Sequence, residues 1–173
     1  MDEQELAEAA EKARRPEQKQ VGITMAVVAV LLAITTMLGH RAYTEEVLLQ
    51  TRSNDQWDYY QAKNNRSEMY AADAELALLM RAEGQPAAAE FTKRAEQQKT
   101  GAEEVRQSAE KLEEETRIEA KRANYFDLAE VFLETTIVLC SITLLNSSLS
   151  YWKISFVSTA VGLLLSIIAL IRG

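Results

Sequence analysis

Three carboxylates stand at helical spacing in the last third of the chain: Asp127, Glu130 and Glu134. Separations of three and four residues place them on one face of a helix. Their neighbours are apolar, and an ionisable group within an apolar span is a functional-site hypothesis by default. For Asp127 and Glu130 we favour an interfacial charge cluster with His40 and Arg41. Glu134 lies roughly 10 Å further along the helix than Asp127, and it either joins that cluster or contacts a proton or ion.

Other catalytic chemistry has little support in the composition. The chain contains one His and one Cys, which form neither a zinc-binding pattern nor a nucleophile–base pair. The six Gly are scattered rather than grouped in a phosphate-binding loop. The net charge of −7 is opposite to the basic footprint of a nucleic-acid-binding protein. We therefore expect no enzymatic activity, cofactor, metal site or nucleic-acid partner.

Three apolar segments indicate the class of protein. Crossing a hydrocarbon core of about 30 Å takes roughly 20 helical residues. Segments 21–40, 127–149 and 154–171 meet this requirement, and a charged tail, 1–20, precedes them. A cleaved signal peptide is the less favoured interpretation of the first segment, because no small-x-small cleavage site follows its long apolar core. The sequence predicts an all-α, multi-pass membrane protein with three transmembrane helices.

Residues 41–126 are predicted to form a long antiparallel helical hairpin. They are rich in strong helix formers, and Gly84 and Pro86 interrupt them near the midpoint. These two residues predict a turn at 84–86. Apart from Gly39, no helix breaker separates either arm from its neighbouring apolar segment, so each arm is expected to continue directly into its span.

Both predicted arms carry stripes with the alternating three- and four-residue spacing of a coiled-coil seam. A turn at residues 84 and 85 makes Trp57 face Leu112 and puts Gln61 near Ala109. The first-arm stripe comprises Tyr43, Val47, Gln50, Asn54, Trp57, Gln61, Asn64, Ala72, Leu76 and Leu79. The second-arm stripe comprises Phe91, Ala95, Gln98, Ala102, Val105, Ala109, Leu112 and Thr116.

The polar and aromatic stretch NDQWDYYQAKNNR, residues 54–66, has two interpretations. The favoured one is packing, with large and amide side chains set against the alanine-rich second arm. The alternative is a site for a small molecule or lipid. Tyr59 and Tyr60 point partly away from the predicted seam and, with Tyr70, form a candidate surface for a partner subunit.

The run SNDQWDYYQAK, with TTMLGHRA before it and FDLAEVFLETTIVLCSITLL near the end, resembles the bacterial membrane-protein family grouped as domain of unknown function 4337. The likeness extends from about Val21 to Ile171. It implies an inner-membrane protein with one anchor, a helical extramembrane region and a terminal pair of spans. The resemblance implies no activity and supplies no catalytic residues.

Two functions from different classes fit these features. The first is a non-enzymatic structural or assembly component that acts through its hairpin in a homo-oligomer or larger membrane complex. The alternative is an ion-coupled energising or channel subunit that uses Glu134. Arg14, Arg15 and Lys19 precede the first span, and this favours a cytoplasmic N-terminus with the hairpin outside the cytoplasm.

Overall fold

A computed structural model describes residues 3–80, 83–146 and 148–171, with side chains from residue 18 onward. The described chain is all-α: helix α1 covers Glu3–Leu78, α2 covers Gln85–Asn146 and α3 covers Leu149–Ile171. Each helix contains a window long and apolar enough to cross a membrane. The structure therefore confirms the helical class, the packing of two long helices against each other and the three candidate spans.

The two long helices continue through the points where the sequence changes from apolar to polar. α1 passes Gly39 without a break, and a Cβ added at that position would lie 3.1 Å from the Cβ of Phe126. α2 likewise continues past Asp127. This continuity agrees with the absence of further helix breakers at these positions.

The connection between α1 and α2 begins earlier in the chain than predicted. α1 ends at Leu78, and the next two backbone amides bond three residues back. Leu79 donates to the Leu76 carbonyl at 3.1 Å, and Met80 donates to the Ala77 carbonyl at 3.0 Å. Such bonds tighten the last turn of a helix and satisfy carbonyl groups that the helix leaves free.

Gly84 belongs to the beginning of α2 rather than to the end of α1. Its carbonyl accepts a hydrogen bond of 2.9 Å from the amide of Ala88. Pro86 lies in the first turn of α2, where its missing N–H leaves no helical bond unmade. A Cβ at Gly84 would stand 1.8 Å from the carbonyl oxygen of Ala77. This close approach to backbone requires glycine at position 84.

The chain divides into two compact units. The span unit comprises Met1–Thr44 and Ile118–Gly173, and the hairpin unit comprises Glu45–Arg117. Each unit is described by its own contacts.

In the span unit, α1 and α3 run in the same direction. Trp152, near the beginning of α3, donates through Nε1 to the Thr24 hydroxyl of α1 at 3.3 Å. Further along both helices, the hydroxyls of Thr35 and Ser166 lie 3.3 Å apart. Polar side chains between apolar helices are typical of membrane helix packing, where small groups allow close approach.

α2 runs antiparallel to α3 within the span unit. The Thr136 hydroxyl lies 3.3 Å from the Ser155 carbonyl and 3.2 Å from the Thr159 hydroxyl. A Cβ added at Gly162 would lie 3.0 Å from Cγ of Leu133, so the glycine permits this contact. The small residues of α3 thus pack inside the chain. The buried positions of α3 are Ser155, Gly162, Ser166 and Ala169.

In the hairpin unit, the packed face of α1 lies one residue before the predicted stripe as far as Lys63, and two residues before it from Tyr70 onward. The structure buries or half-buries all eight residues of the second-arm stripe, whereas the first-arm stripe residues Val47, Gln61 and Leu76 are exposed. The buried or half-buried face of α1, here named the α1 seam, comprises Glu46, Leu49, Ser53, Gln56, Tyr60, Lys63, Ser67, Tyr70, Ala74 and Ala77.

The pairing of the two arms also differs from the prediction. The Ser53 hydroxyl donates to the Ala109 carbonyl at 3.4 Å, so Ser53 lies where Gln61 was expected. Of the offset between Gln61 and Ser53, one residue arises because the packed face precedes the predicted stripe by one residue. The rest of the offset equals one heptad. The earlier end of α1, at Leu78, accounts for the heptad because it moves the centre of the turn towards the N-terminus.

Small side chains let the two arms approach closely. Ser67 donates to the Ala95 carbonyl at 2.9 Å, and a serine side chain is short enough to reach the neighbouring backbone only when the helices are near each other. Ala102 and Ala109 are almost fully buried on the opposite arm. The first arm therefore supplies large side chains at some seam positions, such as Leu49 and Tyr60, but small ones at Ser53, Ser67, Ala74 and Ala77.

Candidate functional site

Glu130 is held within the span unit by a partner on α1. Its carboxylate is half-buried and accepts a hydrogen bond of 2.8 Å from the Thr36 hydroxyl. This bond joins the first and second candidate spans. A carboxylate inside an apolar segment needs such a donor, because an unpartnered buried polar group is costly.

Glu134 lies one turn later on α2 and has a different environment. Its side chain is exposed, and no described residue makes a hydrogen bond or ion pair with it. The residues around it on the same side, which we name the outer face of α2, are apolar: Val131 and Val138 are each 57 % exposed and Leu145 is 88 % exposed. Glu134 thus directs a carboxyl outward from a candidate span, two turns after Asp127.

The predicted charge cluster of His40, Arg41 and Asp127 is not present among the described residues. All three side chains are exposed, and they form no ion pair with one another or with Glu130. The physical reason is the position of the helix interface. Gly39 and Ala42 are the buried residues on this turn of α1, so His40 and Arg41 between them turn outward.

The aromatic residues of the stretch 54–66 form contacts within the hairpin unit. The half-buried ring of Trp57 meets Tyr60 edge-on, with 5.7 Å between centroids and an interplanar angle of 87°. Tyr60 belongs to the α1 seam, contrary to the prediction that it points away. Tyr59 remains 46 % exposed, with Nζ of Lys63 5.2 Å from its ring centroid. Cation–π contacts of this kind are weakly stabilising at exposed sites.

Tyr70, another predicted partner residue, is half-buried against the second arm. Its ring stacks on Phe91 at 6.3 Å between centroids, and the Arg94 guanidinium lies 5.9 Å above it. Glu90, one turn before Arg94, hydrogen-bonds this guanidinium and raises the pKa of Arg94. Of the three tyrosines proposed for a partner surface, Tyr59 is therefore the one that the structure leaves exposed.

A second apolar stripe lies on the opposite side of α1 from the α1 seam. Met69, Leu76 and Leu79 are 65 %, 61 % and 78 % exposed, and Ala72 is also exposed. Each stands two positions after a seam residue, and residues two positions apart in a helix are rotated by about 200° around the helix axis. We name these four residues the outer stripe. Ala72, Leu76 and Leu79 belong to the stripe predicted to lie between the arms, but in the structure their side chains are exposed.

An open groove of about 500 Å³ runs between the arms near the turn. Of residues 54–66, only Asn64 contributes to it. Ala71, Ala74 and Ala95 form part of its apolar lining, and Glu68 is among its acidic residues. The groove and the Trp57 cluster are thus separate features, so the groove does not supply the ligand site that was considered for that stretch.

Comparison with known proteins assigns the chain to one family. No curated protein and no solved structure matches the chain. The family described as Domain of unknown function (DUF4337) matches residues 17–172, which include all three candidate spans and both arms of the hairpin. The resemblance noted in the sequence is confirmed by this match, and the chain belongs to the family Domain of unknown function (DUF4337).

Proposed function

We propose that the chain is a non-enzymatic integral membrane protein that assembles, through its hairpin unit, with further copies of itself or within a larger membrane complex. The observation that carries this proposal is the outer stripe. Exposed apolar surface on a folded unit marks an interaction site when it is contiguous and bordered by polar residues. The three candidate spans support insertion into the membrane.

The composition of the outer stripe fits a helix-binding surface. Spacings of three and four residues allow Met69, Ala72, Leu76 and Leu79 to contact one further helix along its length. Met69 contributes a flexible side chain that adapts to different partners. Asp73 lies beside the stripe and, with other charged neighbours, gives it the polar border that protein interfaces have.

The proposal includes a location. The protein resides in the inner membrane as a multi-pass protein, with its N-terminus in the cytoplasm and the hairpin unit outside it. Arg14, Arg15 and Lys19 before the first span support this orientation through the excess of bases found on the cytoplasmic side.

Chemical crosslinking in native membranes tests the assembly. Wild-type protein should give dimers or larger products, and the double variant Met69→Glu, Leu76→Glu should reduce them several-fold, because charges would be desolvated at the interface. Gln97→Glu, on the exposed surface of the second arm, is the control and should crosslink like wild type. A wild-type protein that stays monomeric at every concentration would show that the proposal is wrong.

A second candidate function has one specific observation in its favour. The outward carboxyl of Glu134 is a group that an ion-coupled energising or channel subunit would use. Glu134→Gln should then change proton or cation flux in vesicles, while Glu104→Gln, an exposed acid of the hairpin unit, should leave it unchanged. Equal flux in the wild type and Glu134→Gln, or no flux in either, removes this candidate.

A further inference from the structure

On the outer face of α2, the Glu134 carboxyl lacks a hydrogen-bonding partner among the described residues. The Glu134 carboxyl lies between Val131 and Val138 on the exposed side of a candidate span, with no partner among the described residues. Lipid chains provide no hydrogen-bond donor or acceptor, and polar groups within the bilayer therefore face protein or water. Glu130 meets this requirement through Thr36 inside the same chain, whereas Glu134 does not.

A second copy offers few ionisable side chains that could bond to Glu134 within the spans. The three candidate spans contain no Lys or Arg, and their one His, His40, is the last residue of the first span, so another copy provides no base beside Glu134. It does provide its own Glu134. A carboxylic acid carries both an O–H donor and acceptor oxygens, and two such groups satisfy each other. The neutral acid is also far less costly in hydrocarbon than the carboxylate.

We propose that two copies meet along the outer face of α2, related by a two-fold axis along the membrane normal, with their Glu134 side chains hydrogen-bonded to each other. This inference rests on the proposed membrane insertion and self-assembly. A two-fold axis of this kind brings the same residue of both copies together at the same depth. Val131, Val138 and Leu145 recur every seven residues beside Glu134, which is the repeat of helices that wind around each other.

Site-directed disulfide formation tests the contact in the full-length protein. Cys140, buried and 3.6 Å from the Ser155 hydroxyl, is first replaced by Ala. Val138→Cys in this background should give a disulfide-linked dimer on oxidation in membranes. Val157 on α3 is 65 % exposed, close to the 57 % of Val138, so Val157→Cys is the matched control and should remain monomeric.

The hydrogen bond itself is tested by two substitutions at Glu134. Glu134→Gln keeps one donor and one acceptor and should retain the dimer. Glu134→Leu removes both while making the helix more apolar. It should weaken the dimer roughly threefold to thirtyfold, the range expected for one interhelical hydrogen bond in a membrane. Dissociation constants from fluorescence energy transfer between labelled copies in vesicles provide the measurement.

Several outcomes would overturn the inference. Equal crosslinking at positions 138 and 157 would show random collision, and an unchanged dimer in Glu134→Leu would show that the carboxyl takes no part. A Val138→Cys crosslink to a different protein would identify another occupant. If chemical crosslinking in native membranes still gives dimers but Val138→Cys gives no disulfide-linked dimer, the proposed contact along the outer face of α2 is wrong and the self-assembly stands. If neither kind of dimer forms, the proposed self-assembly also fails.

Discussion

At the scale of single residues, two glycines of the hairpin unit show how the surroundings decide what a position tolerates. A Cβ at Gly84 would lie 1.8 Å from the backbone oxygen of Ala77, which belongs to a helix and does not move easily. A Cβ at Gly101 would lie 2.6 Å from Nζ of Lys63, the flexible end of a long side chain. The same chemical change therefore meets rigid backbone at one position and a movable group at the other.

The first prediction compares these two positions. Gly84→Ala should lower the thermal midpoint of the full-length protein, because the connection between the arms must rearrange. Gly101→Ala should raise stability by about 0.5–1 kcal/mol, the difference between Ala and Gly inside a helix. Thermal unfolding followed by circular dichroism in detergent measures both. A stabilising Gly84→Ala would contradict the tight contact with Ala77.

At the scale of helices, the hairpin unit depends on close approach of two arms lined with small residues. Ala109 is fully buried, and its carbonyl accepts the hydrogen bond from Ser53. Protein interiors have few voids, so a position of this kind has no space for a larger side chain. Trp57 and Tyr60, one and two turns after Ser53 on α1, are both half-buried and contact each other.

The second prediction concerns this interface. Ala109→Leu should destabilise the hairpin unit by about 1–3 kcal/mol, because added carbon atoms force the arms apart and break the Ser53 contact. Gln107→Leu, two residues away on the exposed side of α2, is the control for the change to leucine. Urea or thermal unfolding of the full-length variants provides the comparison. Equal midpoints for the two variants would mean that the arms pair differently.

At the scale of the whole molecule, the proposed orientation assigns the hairpin unit and the N-terminus to opposite sides of the membrane. The one cysteine of the chain, Cys140, is buried, so a new exposed cysteine is a selective label site. Gln97 on the second arm and Lys19 before the first span are both exposed. They provide one reporter for each side.

The third prediction uses these reporters. Gln97→Cys should react with a membrane-impermeant maleimide in intact cells, whereas Lys19→Cys should react only after permeabilisation, because the charged reagent does not cross the bilayer. Mass measurement of the labelled protein gives the extent of reaction. The reverse pattern would place the N-terminus outside the cytoplasm, and reaction of both residues in intact cells would contradict opposite sides.

Several features of this protein followed from the sequence by itself. The three apolar segments determined the candidate spans, because crossing hydrocarbon requires a long, predominantly apolar run. Continuous helix through both changes of polarity followed from the lack of breakers. The second-arm stripe was also predictable from the sequence, because its alanines leave a single face suited to close packing.

Tertiary structure decided which face of α1 packs against α2. The spacing of the larger apolar residues, such as Leu76, predicted a different face. The structure buries the face with Ser53, Ser67 and Ala74, because small side chains let the backbones approach and allow the serines to bond across to carbonyls. Burial depends on the distance between helices, which the pattern of a single helix does not contain.

The two glutamates of α2 differ for the same kind of reason. Glu130 and Glu134 are one turn apart on the same helix, and their spacing predicted that they share a face, with Glu130 at the interface and Glu134 further along the span. In the structure, Thr36 of α1 reaches Glu130, whereas Glu134 stays exposed. Residue type and spacing located both carboxyls in a candidate span, and only the position of the neighbouring helix determined which of them has a partner within the chain.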